Sequence, residues 1–303
     1  MSLDAERAEL ARIMVGHCNT FSIHSGNIIN WNMLKKHRFH TSLTSSDELM
    51  DALHSAIQSW IRGITIDPVN MPEPQNAINI SNRELETPID PDQREKLKLS
   101  VKLFLCDWRP NIIRRAVDKV IQNLDVQRID SLIVSFPVMP PSTNTILENS
   151  NISPVAADLN KIKPIWKEMQ SVVDSGHVSK IGVSDFDQAG LELLHNWARI
   201  KPSINQISLN NCCAVPTDLI QYSREEKVEL LTHSDPPEIL SARNFQSFMS
   251  ESTQDIDATN WTPSFIARYS VLVRNRGIVH SKGYITSAER QSLTSNGEDY
   301  GFF

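Results

Sequence analysis

Between residues 180 and 207 the spacing of apolar and polar positions changes period twice. Ile181 and Val183 form a short apolar run that stops at the small polar residues Ser184 and Asp185, as a core strand does at its carboxyl end. Asp187 then stands where a helix N-cap is needed, ahead of Leu191, Leu194 and Trp197 at helical spacing. Pro202 marks the return into Ile204-Asn205-Gln206-Ile207. Strand, helix and strand in that order predict one βαβ unit of a parallel sheet.

The same alternation extends outward. Strands are predicted over residues 99–106, 131–136 and 228–233. Pro110 opens a helix with Ile113, Val117, Val120, Ile121 and Leu124 on one stripe; Ile165, Met169, Val172 and Val173 make another, closed by Gly176; a third covers 217–227. Ser45 followed by Glu48 resembles a capping box, and Leu49, Leu53, Ile57 and Trp60 predict a helix over 46–61. Residues 5–17 read as a short amphipathic helix, and residues 21–31 as a β-hairpin turning at Ser25-Gly26-Asn27. Ile64-Thr65-Ile66 reads as a strand, 68–93 as a long surface loop, 144–160 as a polar insertion, and 261–274 as a helix leading into a strand over 277–281. No repeat, charge block or linker divides this series. The expected fold is therefore α/β, a closed (β/α)8 TIM-type barrel over roughly residues 20–290 of a single domain spanning 1–303, with an N-terminal β-hairpin and long surface loops. The tail 291–303 is a flexible or docking segment, its end Tyr300-Gly301-Phe302-Phe303 aromatic enough to dock.

Composition narrows the function classes. A net charge of -6 and a pI near 5.9 provide no basic field for nucleic acid. No apolar run approaches the roughly 20 residues that span a bilayer, and the start Met1-Ser2-Leu3-Asp4-Ala5-Glu6 is acidic where a signal peptide is basic, so a cytoplasmic protein without membrane contact is expected. The four cysteines, Cys18, Cys106, Cys212 and Cys213, form neither a disulfide framework nor a zinc spacing.

Ile181-Gly182-Val183-Ser184-Asp185-Phe186 with Asn205-Gln206 resembles the fifth- and sixth-strand signature of the aldo-keto reductases. In that family the serine, the residue after it and the glutamine hold the nicotinamide carboxamide, which implies such a role for Ser184, Asp185 and Gln206. With Lys102, Lys282 and Arg290 they would make a vestigial NADP(H) site; the plain alternative is that they are hydrogen-bonding groups closing the barrel top. The chain departs from the family's catalytic set. Its proton-donor tyrosine is missing: no tyrosine precedes Tyr222, and if Asp67 matches the family's aspartate, the tyrosine position falls on Pro72. The histidine position holds Ser135 or Phe136. Lys102 alone survives, and a lone lysine at a strand end is more often ion-paired than catalytic.

A closer resemblance is to a non-catalytic branch of that family, the regulatory (modifier) subunits of glutamate–cysteine ligase. It is carried by Ser25-Gly26-Asn27-Ile28-Ile29-Asn30-Trp31, Ser100-Val101-Lys102-Leu103-Phe104, Asn210-Asn211-Cys212-Cys213, Leu231-Thr232-His233-Ser234-Asp235-Pro236 and the stretch from Arg268-Tyr269-Ser270-Val271 to Gly283-Tyr284. The resemblance implies a chain that makes no bond itself, binds the catalytic ligase subunit as a heterodimer, lowers its KM for glutamate and relieves feedback inhibition by glutathione. ATP and magnesium belong to that partner, and no cofactor is required here; no phosphate-binding Walker loop is present. Cys212 and Cys213 read either as a redox contact with the partner or as small buried residues. His233, Asp235 and Glu238 read as a metal or acid–base cluster or, with Pro236-Pro237, as a shaped turn; the turn is favoured, and no metal is expected. Two other readings stay open, an NADP(H)-binding pseudoenzyme and a weak oxidoreductase with a substitute proton donor.

Overall fold

The computed structural model describes residues 3–29, 44–66, 75–137, 159–209 and 214–291. Strands β3 (Leu97–Leu105), β4 (Ile129–Ser135), β5 (Val178–Ser184), β6 (Ile204–Ser208) and β7 (Glu229–His233) lie side by side in parallel. Helices α3 (Ile112–Leu124), α4 (Leu159–Asp174), α5 (Gln188–Trp197) and α6 (Thr217–Glu225) connect them. The expected α/β alternation holds, for the reasons the pattern suggested. Asp187 caps α5 by accepting from Gly190 N at 2.9 Å. Gly176 follows α4 at φ 78°, a left-handed position that glycine adopts without a Cβ clash, and Asp125 ends α3 in the same region at φ 49°.

Before this block come α1 (Leu3–Gly16), β1 (Thr20–His24), α2 (Ser45–Gly63) and β2 (Ala77–Ser81); after it come α7 (Ala242–Thr253), β8 (Trp261–Val273) and β9 (Ile278–Arg290). The sheet order is β2-β1-β9-β8-β3-β4-β5-β6-β7. The antiparallel β8–β9 pair thus stands between β1 and β3, with β1 antiparallel to β9 and β8 antiparallel to β3. Among the described residues no ladder joins β2 to β7.

Four expectations are corrected here. The predicted helix over 261–274 is strand β8, which is apolar on both faces because both are buried. The N-terminal hairpin does not form: β1 already has β2 and β9 as neighbours, and Asn27 Oδ1 accepts from Ile29 N at 3.1 Å, turning the chain away. Residues 64–66 are not a strand; the strand of this region is β2, inside the stretch predicted to be loop. The capping box of α2 is Thr44 with Asp47, one position before the predicted Ser45 with Glu48, which frees the latter two for contacts described below.

Two apolar clusters line the sheet. Leu99, Val101 and Leu103 of β3 face the side covered by α3 to α6, together with Phe265, Ala267 and Val271 of β8. Phe104 and Ile266 face the other side, where Phe21, Ile23 and Tyr284 meet Leu49, Leu53, Phe245 and Phe248 of α2 and α7. Alternation along β3 therefore turns Lys102 toward α2. No helix among the described residues is long and apolar enough to cross a membrane.

Candidate functional site

Lys102 and Arg268 are directly opposed in the β3–β8 ladder. Two like charges so placed are mutually unfavourable, the more so in a buried setting. Asp235, two residues past the end of β7 and 4 % exposed, resolves the conflict. Its Oδ2 accepts from Lys102 Nζ at 2.8 Å and from Arg268 at 2.8 Å, while Oδ1 takes the other arm of the guanidinium at 2.5 Å. Ser45 Oγ, in the first turn of α2, donates to the same Oδ1 at 2.6 Å. Both cations also lie over the ring of Phe104, at 5.1 Å for Lys102 and 5.4 Å for Arg268.

The cluster continues through His233. The Asp235 N–H points at His233 Nδ1 at 3.0 Å, and Nε2 faces Asp185 at 3.0 and 3.1 Å. The same Nδ1 lies 3.3 Å from Asp235 Oδ2, so the ring stands between two carboxylates that favour its protonated form. Asp185 is held further by Ser184 Oγ at 2.8 Å and by Ser208 N at 2.8 Å, at the left-handed φ of 62°. On the other flank Glu48 of α2 accepts from Tyr284 at 2.6 Å and pairs with Lys282 at 2.5 Å. Tyr284 is opposite Arg268 in the β8–β9 ladder.

The electrostatics follow from this geometry. Burial works against the charge on Asp235, but hydrogen bonds from His233 and Arg268 and the field of both cations hold its carboxyl far below the ordinary range. Burial likewise opposes ionisation of Asp185, and His233, Ser184 and Ser208 N outweigh it, so its pKa is lowered. Burial lowers the pKa of Lys102, an effect that Asp235 only partly offsets. In His233 burial is overcome by hydrogen bonds to Asp185 and Asp235, and the pKa rises. Lys102 and Arg268 are thus balanced by Asp235 and Asp185, and protonation of His233 adds one positive charge to the set.

Of the residues singled out from sequence, Lys102, Ser184 and Asp185 belong to this network, and Gln206 is the ladder partner of Ser184. Lys282 joins it only at the far side, through Glu48. Arg290 is elsewhere: it donates to the carbonyls of Val15, in the last turn of α1, at 2.9 Å and Cys18, just past it, at 3.2 Å, pairs with Asp255 at 2.7 Å and stacks on Trp261 at 4.7 Å. The grouping of Arg290 with the others is corrected accordingly. Cys212 and Cys213 lie outside the described residues, as does most of the 144–160 insertion and the tail after residue 291. Glu238 is exposed and takes no part in the His233–Asp235 contacts, and the described residues contain no metal-holding cluster. Sequence reasoning missed Arg268, Ser45, Glu48 and Tyr284 as members of the cluster. The strand period of Ile266, Arg268 and Ser270 was the available signal for Arg268.

The donor set is a poor match to a nicotinamide dinucleotide. Gln206 Oε1 is buried without a hydrogen-bond partner, an acceptor that a carboxamide N–H would satisfy. Ser184 and Asp185, however, are bound to each other and to His233, and Lys282 and Arg290 are paired with carboxylates of this chain. As arranged, these residues do not present a carboxamide site with a phosphate clamp.

The aldo/keto reductase family model matches residues 37–235. The chain is 35% identical over 282 residues to the glutamate–cysteine ligase regulatory subunit of Homo sapiens, covering 93% of this chain and 97% of that one. Similarity to reductases is shorter: 32% identity over 115 residues with aldo-keto reductase family 4 member C11 of Arabidopsis thaliana, covering 38% and 35% of the two chains. With aldose reductase B of Dictyostelium discoideum it is 29% over 175 residues, covering 56% and 55%.

Proposed function

Since this chain belongs to the aldo/keto reductase family, in the branch that holds the glutamate–cysteine ligase regulatory subunits, we propose that it binds a glutamate–cysteine ligase catalytic subunit in the cytoplasm as a heterodimer. The bound catalytic subunit then uses glutamate at a lower KM and resists inhibition by glutathione. The physical form is linkage. A partner that binds the substrate-competent conformation better than the inhibited one shifts the equilibrium by its differential affinity, without touching substrate. ATP and magnesium chemistry stay with the catalytic chain.

The observation that carries this reading is the end-to-end match to a regulatory subunit, 97% of its length, against matches to two reductases that cover 35% and 55% of theirs. The polar centre supports it. Lys102 is closed against Asp235, and Tyr269 donates to Gly26 O at 2.9 Å. Tyr284 donates to Glu48, and burial together with that carboxylate raises its pKa, the reverse of what a proton donor to a carbonyl needs. The NADP(H) reading has one supporting observation, the unpartnered Gln206 Oε1.

The test is steady-state γ-glutamylcysteine synthesis by the cognate catalytic subunit titrated with this protein, following glutamate KM and glutathione inhibition together. Both are expected to shift and to saturate at a fixed ratio of chains. Unchanged constants and separate elution of the two chains would refute the proposal, and NADPH binding by calorimetry would then favour the nucleotide-binding alternative.

A further inference from the structure

The β8–β9 hairpin outruns its neighbours at one end. β1 covers β9 only from Ile285 to Glu289. Ser25 N extends that cover to the carbonyl of Tyr284 at 2.9 Å, and Asn27 Oδ1 reaches the N–H of Lys282 at 3.3 Å. Beyond this point Ile278, Val279 and His280 continue in the strand with β8 on one side and no described strand on the other. An unpaired strand edge presents backbone donors and acceptors in a row, ready for an additional strand.

Two further features mark this edge. Ile278 is 56% exposed and Val279 44%, and among the described residues these are the only large hydrophobics so exposed that lie on a strand. The charge is also one-sided. Between Asp257 and Glu289 the sequence has no Asp or Glu, although the chain as a whole carries a net charge of -6. Arg274 is held by Asp130 at 2.6 Å and Lys282 by Glu48. Arg276 and His280 have no ion-pair partner among the described residues. The loop carrying Glu84 and Glu86 packs on Asn27 through Leu85 O and Thr87, where the covered part of the edge begins.

We propose that the open edge of β9 at residues 278–281 is a docking site for an extended, carboxylate-bearing segment of the partner subunit, which adds to the sheet as one more strand. Main-chain hydrogen bonds supply the affinity, Ile278 and Val279 the apolar anchor, and Arg276 and His280 the preference for an acidic segment. A second copy of this chain is the poorer occupant, since edge-to-edge pairing of two tips would oppose like charges. The bulge facing Val271 and Leu272 turns the tip out of regular register, which disfavours indiscriminate stacking of edges and leaves room for a specific partner.

The inference rests on the regulatory-subunit reading, and the experiment separates the two. Full-length protein and the cognate catalytic subunit are mixed, and amide hydrogen exchange is followed with and without the partner. Complex formation with new protection at residues 278–281 is the expected result. A complex without protection there overturns the docking site and leaves the regulatory reading standing; no complex at all overturns both. In parallel, Arg276→Glu with His280→Glu should weaken the complex about tenfold or more, and the wild-type affinity should fall between about 50 and about 300 mM salt. Leu193→Asp, at an exposed apolar position on α5, should leave it unchanged. Equal binding by the charge-reversed protein, with its thermal midpoint retained, would also refute the docking site.

Discussion

Arg268 and Tyr269 are consecutive residues of β8, and their environments differ in kind. Arg268 faces α2 and bonds to Asp235 and Ser45; Asp235 in turn takes Lys102 and His233, and His233 takes Asp185, a cluster in which every charge has a counter-charge. Tyr269 faces the other way and meets His24 Nε2 at 3.3 Å and Gly26 O at 2.9 Å, with Gly283 leaving room for its ring: a Cβ there would lie 2.4 Å from its hydroxyl. That side is buried and holds no ion pair at His24 or Tyr269; its nearest charge is the exposed Glu86, reached through Ser81. Burial pushes His24 down to about 4, so its ring stays uncharged over the ordinary pH range. One strand thus buries polar groups in two ways, by balancing charge and by suppressing it. The first is intolerant of losing a member; the second is intolerant of acid.

The largest expected effect breaks the balanced side. Asp235→Asn leaves Lys102 and Arg268 opposed without their carboxylate and should cost roughly 3–5 kcal/mol in urea unfolding, whereas a loss below about 1 kcal/mol would place the cluster with ordinary surface pairs. Next comes pH, with opposite signs on the two sides. For His24 the unfolded chain takes up a proton as pH falls through about 6.5, while the folded chain resists until about 4, so stability is full above 6.5 and declines by roughly 3 kcal/mol toward pH 4. For His233 the folded pKa is raised, so its contribution is full below about 6.5 and is lost as pH rises through the folded value. Stability–pH curves of His24→Gln and His233→Gln should each lose one of these slopes; removal of the same slope by both would end the distinction. The smallest effect concerns delivery. Thr44→Ala removes the cap that starts α2, whose first turn brings Ser45 and Glu48 to the cluster, and should cost about 1 kcal/mol in thermal or urea unfolding.

The parallel part of the sheet was legible because its strands are short apolar runs between strongly periodic helices, and because Asp187 caps α5. β8 was misread for a definite reason. Phe265, Ile266, Tyr269, Leu272 and Val273 satisfy helical spacing as well as a strand buried on both faces does, and only Pro263 argued otherwise. β2 was hidden differently: Ile78 and Ile80 alternate cleanly, but within a stretch whose prolines and asparagines dominated the reading. At the site, Lys102, Ser184, Asp185 and Gln206 stand out locally, as did the favoured turn at His233 and Asp235. That Asp235 is the hub could not be read, since its partners come from β3, β8 and α2, and no local signal relates chain segments so far apart.

The placement of the β8–β9 hairpin bears on synthesis. Without it the sheet is two fragments, β1 with β2 and β3 to β7, that share no hydrogen-bonded edge among the described residues. The ties that close it are long; Arg290 donates to the carbonyl of Val15 across 275 residues. On the ribosome β1 and β3 therefore emerge with open edges and wait for almost the whole chain, the circumstance in which nascent sheets are slow to fold and prone to mispair. A chain stopped before residue 261 would be a split sheet without its joining piece, so loss of the hairpin removes a splice and not merely an end.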